Sequence, residues 1–212
     1  MLITVLLLLR HLIYPTVYYV FIGYRRPRRK TLSGSLKLPF PALSLKGHTM
    51  SMFAMLHGVS PEFLRSCQTD SSMLDTLEYP EKETPDFLVI HCWGALTYLL
   101  GGDETGAWNS DILTSRTIIS GECIDPEHET GITPAFYLTV DEVIQVASEL
   151  AQISDEALLS RYEPENMHDL HPIGEWTDCP EIRRELLDDF HALQAFYAVQ
   201  ANAGNAVINY LV

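Results

Sequence analysis

Acidic residues are absent from the first 50 positions of this 212-residue chain, and basic residues are scarce in the remainder. Residues 1–50 carry eight basic side chains, whereas residues 51–212 carry 6 basic and 28 acidic side chains, a formal balance of −22. Because so acidic a surface repels phosphates, nucleic-acid binding by residues 51–212 is disfavoured. The contrast indicates two different parts that join near Met50.

Recognisable catalytic motifs are also missing. The sequence contains no nucleophile elbow, phosphate-binding glycine loop or dinucleotide fingerprint. The neighbours His91 and Cys92 would point about 100° apart on a helix, so they would not face each other as a nucleophile and its base. The four cysteines show no paired spacing, which is typical of the reducing cytoplasm. We therefore predict no catalytic residue, no metal ligands and no cofactor.

The first 24 residues are largely apolar, and a basic cluster follows at residues 25–30. One interpretation is a membrane anchor, because the segment has the roughly 20 residues needed to span a bilayer. Against it, Arg10 near the centre raises the free energy of insertion by about 2.5–3.5 kcal/mol. A secretory signal peptide is disfavoured because the basic cluster follows the apolar run. The third interpretation is a misassigned start, with the natural start at Met50 or Met52.

Residues 31–49 have no consistent period and carry two prolines, which predicts a linker. The expected division is therefore an extension at residues 1–49 and one domain at residues 50–212. We expect this domain in the cytoplasm. If residues 1–24 are an anchor, the basic residues that follow keep the domain on the cytoplasmic side, since positive charge is retained there.

The longest apolar run of the acidic part is the stretch at residues 85–102. Asp86 suits a helix cap and Gly101 a helix end, and apolar residues cover most of the surface between them. A helix that is apolar nearly all round is a buried one. We therefore predict a central core helix here, with Trp93 on its inner stripe.

Capping signals define further elements. Ser60 before a proline predicts a helix start, Thr139 and Glu142 form a capping box, and Gly204 ends a long helix that Pro180 opens. The other expected elements are a first strand at 52–59, short helices starting near 70 and 154, a short helix and strand within 112–119, an acidic loop at 121–133, a strand at 135–139 and a closing strand at 205–212. Helices outnumber strands and do not alternate with them. The predicted fold is α+β, a single globular domain with a small mixed sheet packed by several helices.

Several short motifs run in a fixed order through residues 50–212. They are Met52-Phe53-Ala54, Trp93 with Leu96, Tyr98, Leu99 and Leu100, the stretch 134–139, Arg161-Tyr162, Met167, His171-Pro172 and Trp176. In this order they resemble the YfbM-like family of bacterial domains of unknown function. The resemblance implies an α+β fold but no established activity, so no catalytic role is transferred.

Three positions depart from that family's pattern. The family often has histidines just after the core-helix tryptophan and three residues further on, where this chain has Gly94 and Thr97. A common arginine of the family is replaced by Phe136. If those family residues form a polar site, this chain lacks part of it.

The best candidate site in the sequence is the turn-rich segment 165–176. His168 and His171 lie three residues apart and Glu175 follows, so imidazole and carboxylate groups that can bind a divalent transition metal are present. Pro172 interrupts any helix there and the spacing matches no recognised motif, so we predict no metal. Trp93 and Trp176 complete the candidate binding residues as walls of a pocket.

Two classes of function remain. The first is a non-catalytic binding module whose acidic surface attracts a basic protein. An immunity-type inhibitor of a basic toxin is one concrete form of it. The second is a metal-dependent or small-molecule enzyme that uses His168, His171 and Glu175. The missing catalytic motifs favour the first class.

Overall fold

The structure, a computed structural model, describes residues 52–80, 84–101, 113–119, 121–170 and 176–212. The α-helices in these ranges are α1 (Pro61–Thr69), α2 (Trp93–Gly101), α3 (Val140–Leu150), α4 (Asp155–Leu159) and α5 (Pro180–Ala203). The strands are β1 (Ala54–Val59), β2 (Phe87–Ile90), β3 (Glu122–Cys123), β4 (Phe136–Leu138) and β5 (Ala206–Leu211). Short 3₁₀ helices span Ser71–Thr76, Leu113–Arg116 and Pro164–Asn166. The predicted α+β class is confirmed.

The five strands form one sheet in the order β2-β1-β5-β4-β3. We expected a mixed sheet, but every pairing among these strands is antiparallel. The chain reverses direction between β1 and β2 and between β3 and β4, and β5 runs against both of its neighbours. No parallel pair therefore arises. The closing strand is inside the sheet as predicted, since β5 pairs with β1 on one side and β4 on the other.

Alternate side chains of β5 point into two apolar cores on opposite faces of the sheet. Val207 and Leu211 belong to the larger core, which residues of α2, α3 and α5 also form. Ile208 and Tyr210 face the smaller core, which Leu64 of α1 helps to cover. All six residues of β5 are buried. The last strand of the chain is therefore the centre of the fold.

The predicted core helix at residues 85–102 is wrong in its first half. Residues 87–90 form β2, paired with β1 from Ala54↔Ile90 to His57↔Phe87, and α2 begins only at Trp93. Periodicity does not separate a four-residue apolar strand from a piece of buried helix. The β-branched side chains of Val89 and Ile90 favour the strand. The second half is as predicted, because eight of the nine residues of α2 are buried.

The helix ends follow the local sequence signals. Ser60 Oγ accepts a hydrogen bond from the Phe63 N–H at 3.1 Å. Thr139 and Glu142 form the predicted capping box at the start of α3. Gly204 ends α5 in the left-handed conformation, with φ of 69°, which glycine adopts without strain. These predictions are confirmed.

The region after α2 differs from its prediction. A strand was expected at the end of 112–119, but the 3₁₀ helix Leu113–Arg116 is followed by a turn. Ile118 and Ile119 are buried in the larger core without pairing in the sheet. The strand β3 lies instead within the expected acidic loop, where its two residues pair with Tyr137 and Phe136.

Within the described ranges no helix has the length and apolar character needed to cross a bilayer. The predicted extension at residues 1–49, with its anchor and linker interpretations, lies outside those ranges.

Candidate functional site

The two tryptophans proposed as pocket walls are both packed in the larger core. Trp93 is 8% exposed at the start of α2, and Trp176 is 4% exposed. The indole N–H of Trp176 donates to the Leu170 carbonyl at 3.0 Å, and the Tyr162 ring packs against it edge-on. Each of the two side chains therefore packs in the core at its own position.

Only part of the predicted histidine–carboxylate group can be placed. His168 is exposed in the turn after the 3₁₀ helix Pro164–Asn166. His171 and Glu175 lie outside the described residues, so the trio has no described geometry. In the part of the chain that the structure describes, no three His, Cys, Asp or Glu side chains are grouped to hold a metal ion.

A histidine that the sequence analysis did not select lies in a hydrogen-bonded series of rings. His57 of β1 is 5% exposed, and its Nε2 lies 3.1 Å from the hydroxyl of Tyr210, whose ring stacks on it with centroids 5.6 Å apart. Tyr210 in turn donates to the hydroxyl of Tyr79 at 3.0 Å. Each hydroxyl and each ring nitrogen of this series can donate or accept, according to the tautomer of His57, so the three rings form one continuous hydrogen-bonded series. The series runs from the sheet to the 55% exposed ring of Tyr79.

Burial sets the protonation of this series. Loss of solvent lowers the pKa of His57 to about 4, since a buried imidazolium is disfavoured. Desolvation, with the hydrogen bond to Tyr79, raises the pKa of the Tyr210 hydroxyl. Both rings are therefore uncharged at neutral pH.

A cavity of about 240 Å³ opens beside His57; we call it the His57 cavity. Its buried lining includes His57, Val59 and Phe87, and its exposed lining includes Glu78 and Asp86. The rings of His57 and Phe87 lie 4.8 Å apart at 50° to each other. Aromatic and apolar side chains with a few convergent polar groups are the usual composition of a ligand site.

The turn that carries Asp86 is held in place from two sides. The Gly58 N–H donates to the Asp86 carbonyl at 2.8 Å, and the side chain of Gln200 donates to the Pro85 carbonyl at 2.7 Å. Gln200 is fully buried and lies so close to β1 that a Cβ on Gly58 would be 2.0 Å from its Oε1. The position of Asp86 beside the His57 cavity is therefore fixed by the sheet and by α5.

One feature of the sequence, a histidine in an apolar strand, marks this site. The other residues of the site cannot be recognised from the sequence. His57 interrupts the otherwise apolar run of the first strand. Its partner Tyr210 is 153 positions away, and only the pairing of β1 with β5 brings the two rings together.

The sequence model of a family described as a domain of unknown function (DUF1877) matches residues 50–210. The chain belongs to the DUF1877 family. A solved structure, that of a protein of unknown function, YfbM from Escherichia coli, matches with a TM-score of 0.55 over 76% of this chain and 99% of that one, at 13% identity. At this identity the likeness shows a shared fold, and the predicted YfbM-like resemblance is confirmed. No curated protein matches this chain.

The three departures from the family pattern lie away from the His57 cavity in this DUF1877 domain. Gly94 and Thr97 are buried in α2, where the Thr97 hydroxyl donates to the Trp93 carbonyl at 2.7 Å. Phe136 begins β4 and packs against the larger core. None of the three lines the cavity.

The arginines in the described part of this DUF1877 domain are all engaged with their own chain. Four form ion pairs, namely Arg65–Glu62 at 2.8 Å, Arg116–Glu142 at 3.1 Å, Arg183–Asp178 at 2.8 Å and Arg184–Asp188 at 3.9 Å. The fifth, Arg161, donates to the Leu99 carbonyl at 2.7 Å. Exposed carboxyl groups with neither an ion pair nor a hydrogen bond to a described residue are those of Glu78, Asp86, Glu127, Glu129, Asp141, Glu156, Glu165, Asp169, Glu181 and Glu185. The described surface therefore carries negative charge that its own arginines do not neutralise.

Proposed function

We propose that this domain is a non-catalytic binding module that recognises a basic protein through its acidic surface. The observation that carries the proposal is the engagement of every described arginine within the chain, which leaves many exposed carboxyl groups for a partner. Opposite charges on two proteins speed their encounter and select the partner. An inhibitor of a basic toxin is one concrete form of such a module, and it would act in the cytoplasm.

The partner face that we assign begins at α4 and ends at residue 169. Its one arginine, Arg161, is occupied by the Leu99 carbonyl. Its exposed acidic residues are Glu156, Glu163, Glu165 and Asp169. This segment therefore combines exposed negative charge with no free cation of its own.

The loop between β3 and β4 is also acidic, but part of its charge has a structural use. Asp125 of the loop accepts a hydrogen bond from the Ser71 hydroxyl at 2.6 Å, and Glu122 of the adjoining strand β3 accepts one from the Tyr137 hydroxyl. These carboxyl groups hold the loop to its neighbours, so we expect this loop to contribute less to binding.

The proposal is tested with the full chain and a fluorescein-labelled peptide of alternating arginine and glycine. The matched control is the same peptide with citrulline, which keeps the shape of arginine and removes its charge. Fluorescence anisotropy should show binding of the arginine peptide that weakens as NaCl is raised, because salt screens exposed charges. The proposal would be contradicted if the citrulline peptide bound as tightly as the arginine peptide, or if binding did not depend on the NaCl concentration.

Two double variants with the same change in net charge test the assigned face. Glu165→Gln with Asp169→Asn should weaken binding about three- to tenfold, since exposed ion pairs are individually modest. Glu127→Gln with Glu129→Gln, in the other acidic loop, should change it less than about twofold. Equal losses would mean that only net charge matters, and the assigned face would be wrong.

A further inference from the structure

We infer that the His57 cavity binds the guanidinium group of an arginine side chain, and, resting on the proposed function, that this arginine belongs to the basic partner. The inference depends on the charge of the cavity, its rings, its free acceptor and its size.

The charge of the lining favours a cation. Glu78 and Asp86 are exposed at the cavity, and neither forms an ion pair with a described residue. The lining contains no arginine or lysine among the described residues. His57 adds no positive charge at neutral pH because burial lowers its pKa to about 4. Two acidic residues therefore line the cavity without a described counter-charge.

The buried part of the lining suits a flat cation. The rings of His57 and Phe87 lie 4.8 Å apart, and the exposed ring of Tyr79 meets His57 edge-on at 6.1 Å. Guanidinium groups stack on aromatic faces and are less strongly hydrated than ammonium groups. The combination of rings and carboxyl groups therefore favours arginine over lysine.

The histidine also offers a hydrogen-bond acceptor. Nε2 of His57 is paired with Tyr210, and Nδ1 has no hydrogen-bond partner among the described residues; in the tautomer that carries its proton on Nε2, Nδ1 is an acceptor. A guanidinium has five N–H donors and no acceptor. It can therefore satisfy Nδ1 and the carboxyl groups together, which a neutral apolar side chain cannot do.

The size of the cavity limits the ligand. Pockets for drug-sized molecules and cofactors have volumes of roughly 300–1,000 Å³, and the His57 cavity holds about 240 Å³. One side-chain end fits such a volume. The turn at Asp86 is already fixed by Gly58 and Gln200, so little ordering is needed on binding.

The test is a titration of the ¹⁵N-labelled full chain with N-acetyl-arginine-N-methylamide, followed by NMR. We expect saturable shifts at the amides of Gly58, Tyr79 and Phe87, which lie in or beside the lining. The citrulline analogue has a similar shape but no charge, and a carbonyl oxygen replaces one NH2 group, so it should leave these amides unchanged. Shifts that are absent, spread over the whole surface, or equal for citrulline would overturn the inference. A stronger response to the lysine analogue would overturn the choice of guanidinium.

Matched variants separate the cavity from general acidity. Glu78→Gln with Asp86→Asn should weaken binding of the arginine analogue about three- to tenfold, since each exposed ion pair is modest. Glu127→Gln with Glu129→Gln removes the same charge outside both the His57 cavity and the assigned partner face, and it should leave this binding unchanged. Lys82→Gln removes the basic residue nearest to Glu78 in the sequence. In this variant the arginine analogue should bind as tightly as before or more tightly. Equal losses in the two acidic double variants, or weaker binding in Lys82→Gln, would contradict the cavity as the site.

The failures of the two proposals can be told apart. If the arginine-rich peptide binds with salt dependence but the arginine analogue does not shift the cavity amides, the cavity inference is wrong and the proposed function stands. If the analogue occupies the cavity but the peptide binds no better than its citrulline form, the proposed function is wrong and the guanidinium site stands.

Discussion

The carboxylate of Asp189, in the middle of α5, lies 2.7 Å from the backbone nitrogen of Cys92, 97 positions earlier in the chain. The same Oδ2 accepts a second hydrogen bond, from the His91 N–H at 2.9 Å. It thus provides the acceptor for two N–H groups immediately before α2. Desolvation raises the pKa of Asp189, and the two N–H groups oppose that rise. The long C-terminal helix therefore fixes the start of the core helix.

We predict that Asp189→Ala lowers the free energy of unfolding by about 1–3 kcal/mol, because two N–H groups lose their acceptor. Asp189→Asn keeps an acceptor oxygen and removes a charge that burial disfavours, so it should stay within about 1 kcal/mol of the parent. Urea unfolding of the three proteins measures both values. Equal losses for alanine and asparagine would show that the charge matters and not the acceptor.

A second prediction concerns the close approach of Gly58 to Gln200. The Gln200 side chain is held by bonds to the Pro85 carbonyl and from the Asn205 amide, so it cannot easily move away from a new Cβ. Gly58→Ala should lower the free energy of unfolding by about 1–3 kcal/mol through overpacking. In a protein that already carries Gln200→Ala, Gly58→Ala should lower the free energy of unfolding by clearly less. Additive losses in the double-mutant cycle would exclude this contact as the cause.

The elements that the sequence predicted well are those whose determinants are local. Ser60, Thr139 and Gly204 act within one helical turn of their own positions, and each helix end was found. The start of α2 was missed because its acceptor is Asp189, which no local pattern connects to Cys92. A four-residue apolar run beside it was therefore joined to the helix.

The candidate site was harder to predict for the same reason. The ring pair of His57 and Tyr210 depends on the register of β1 against β5, which sequence spacing does not give. Trp93 and Trp176 were selected because large aromatic residues are common both in cores and in binding sites. Both tryptophans are buried, so they belong to the core. Charge was the one functional feature that composition revealed directly.

The packing of Trp93 leads to a third prediction. Its side chain is 8% exposed in the larger core, so Trp93→Ala removes buried apolar surface and leaves a cavity. We expect a loss of about 3–5 kcal/mol in the free energy of unfolding. Chemical denaturation measures it. A loss below about 1 kcal/mol, which is usual for surface substitutions, would mean that Trp93 lines an open pocket.

The domain boundary is a fourth prediction. Charge, periodicity and the family match all begin near Met50, so residues 50–212 should fold alone and stay soluble. Thermal unfolding and size-exclusion chromatography of this fragment and of the full chain provide the comparison. Aggregation of the fragment, or a much lower melting temperature than that of the full chain, would place part of the fold before residue 50.

The last prediction concerns the pH dependence that His57 gives to stability. Burial lowers its pKa in the folded state to about 4, whereas an unfolded histidine has a pKa of about 6.5. Between these values the unfolded state binds the proton and the folded state does not, so stability present above about pH 6.5 is lost as the pH falls toward 4. A difference of this size corresponds to about 3 kcal/mol. His57→Gln keeps a polar side chain of similar size that does not titrate, so its unfolding free energy should fall less steeply across this range. Urea unfolding of both proteins at several pH values measures the difference, and parallel curves would contradict a buried neutral histidine at this position.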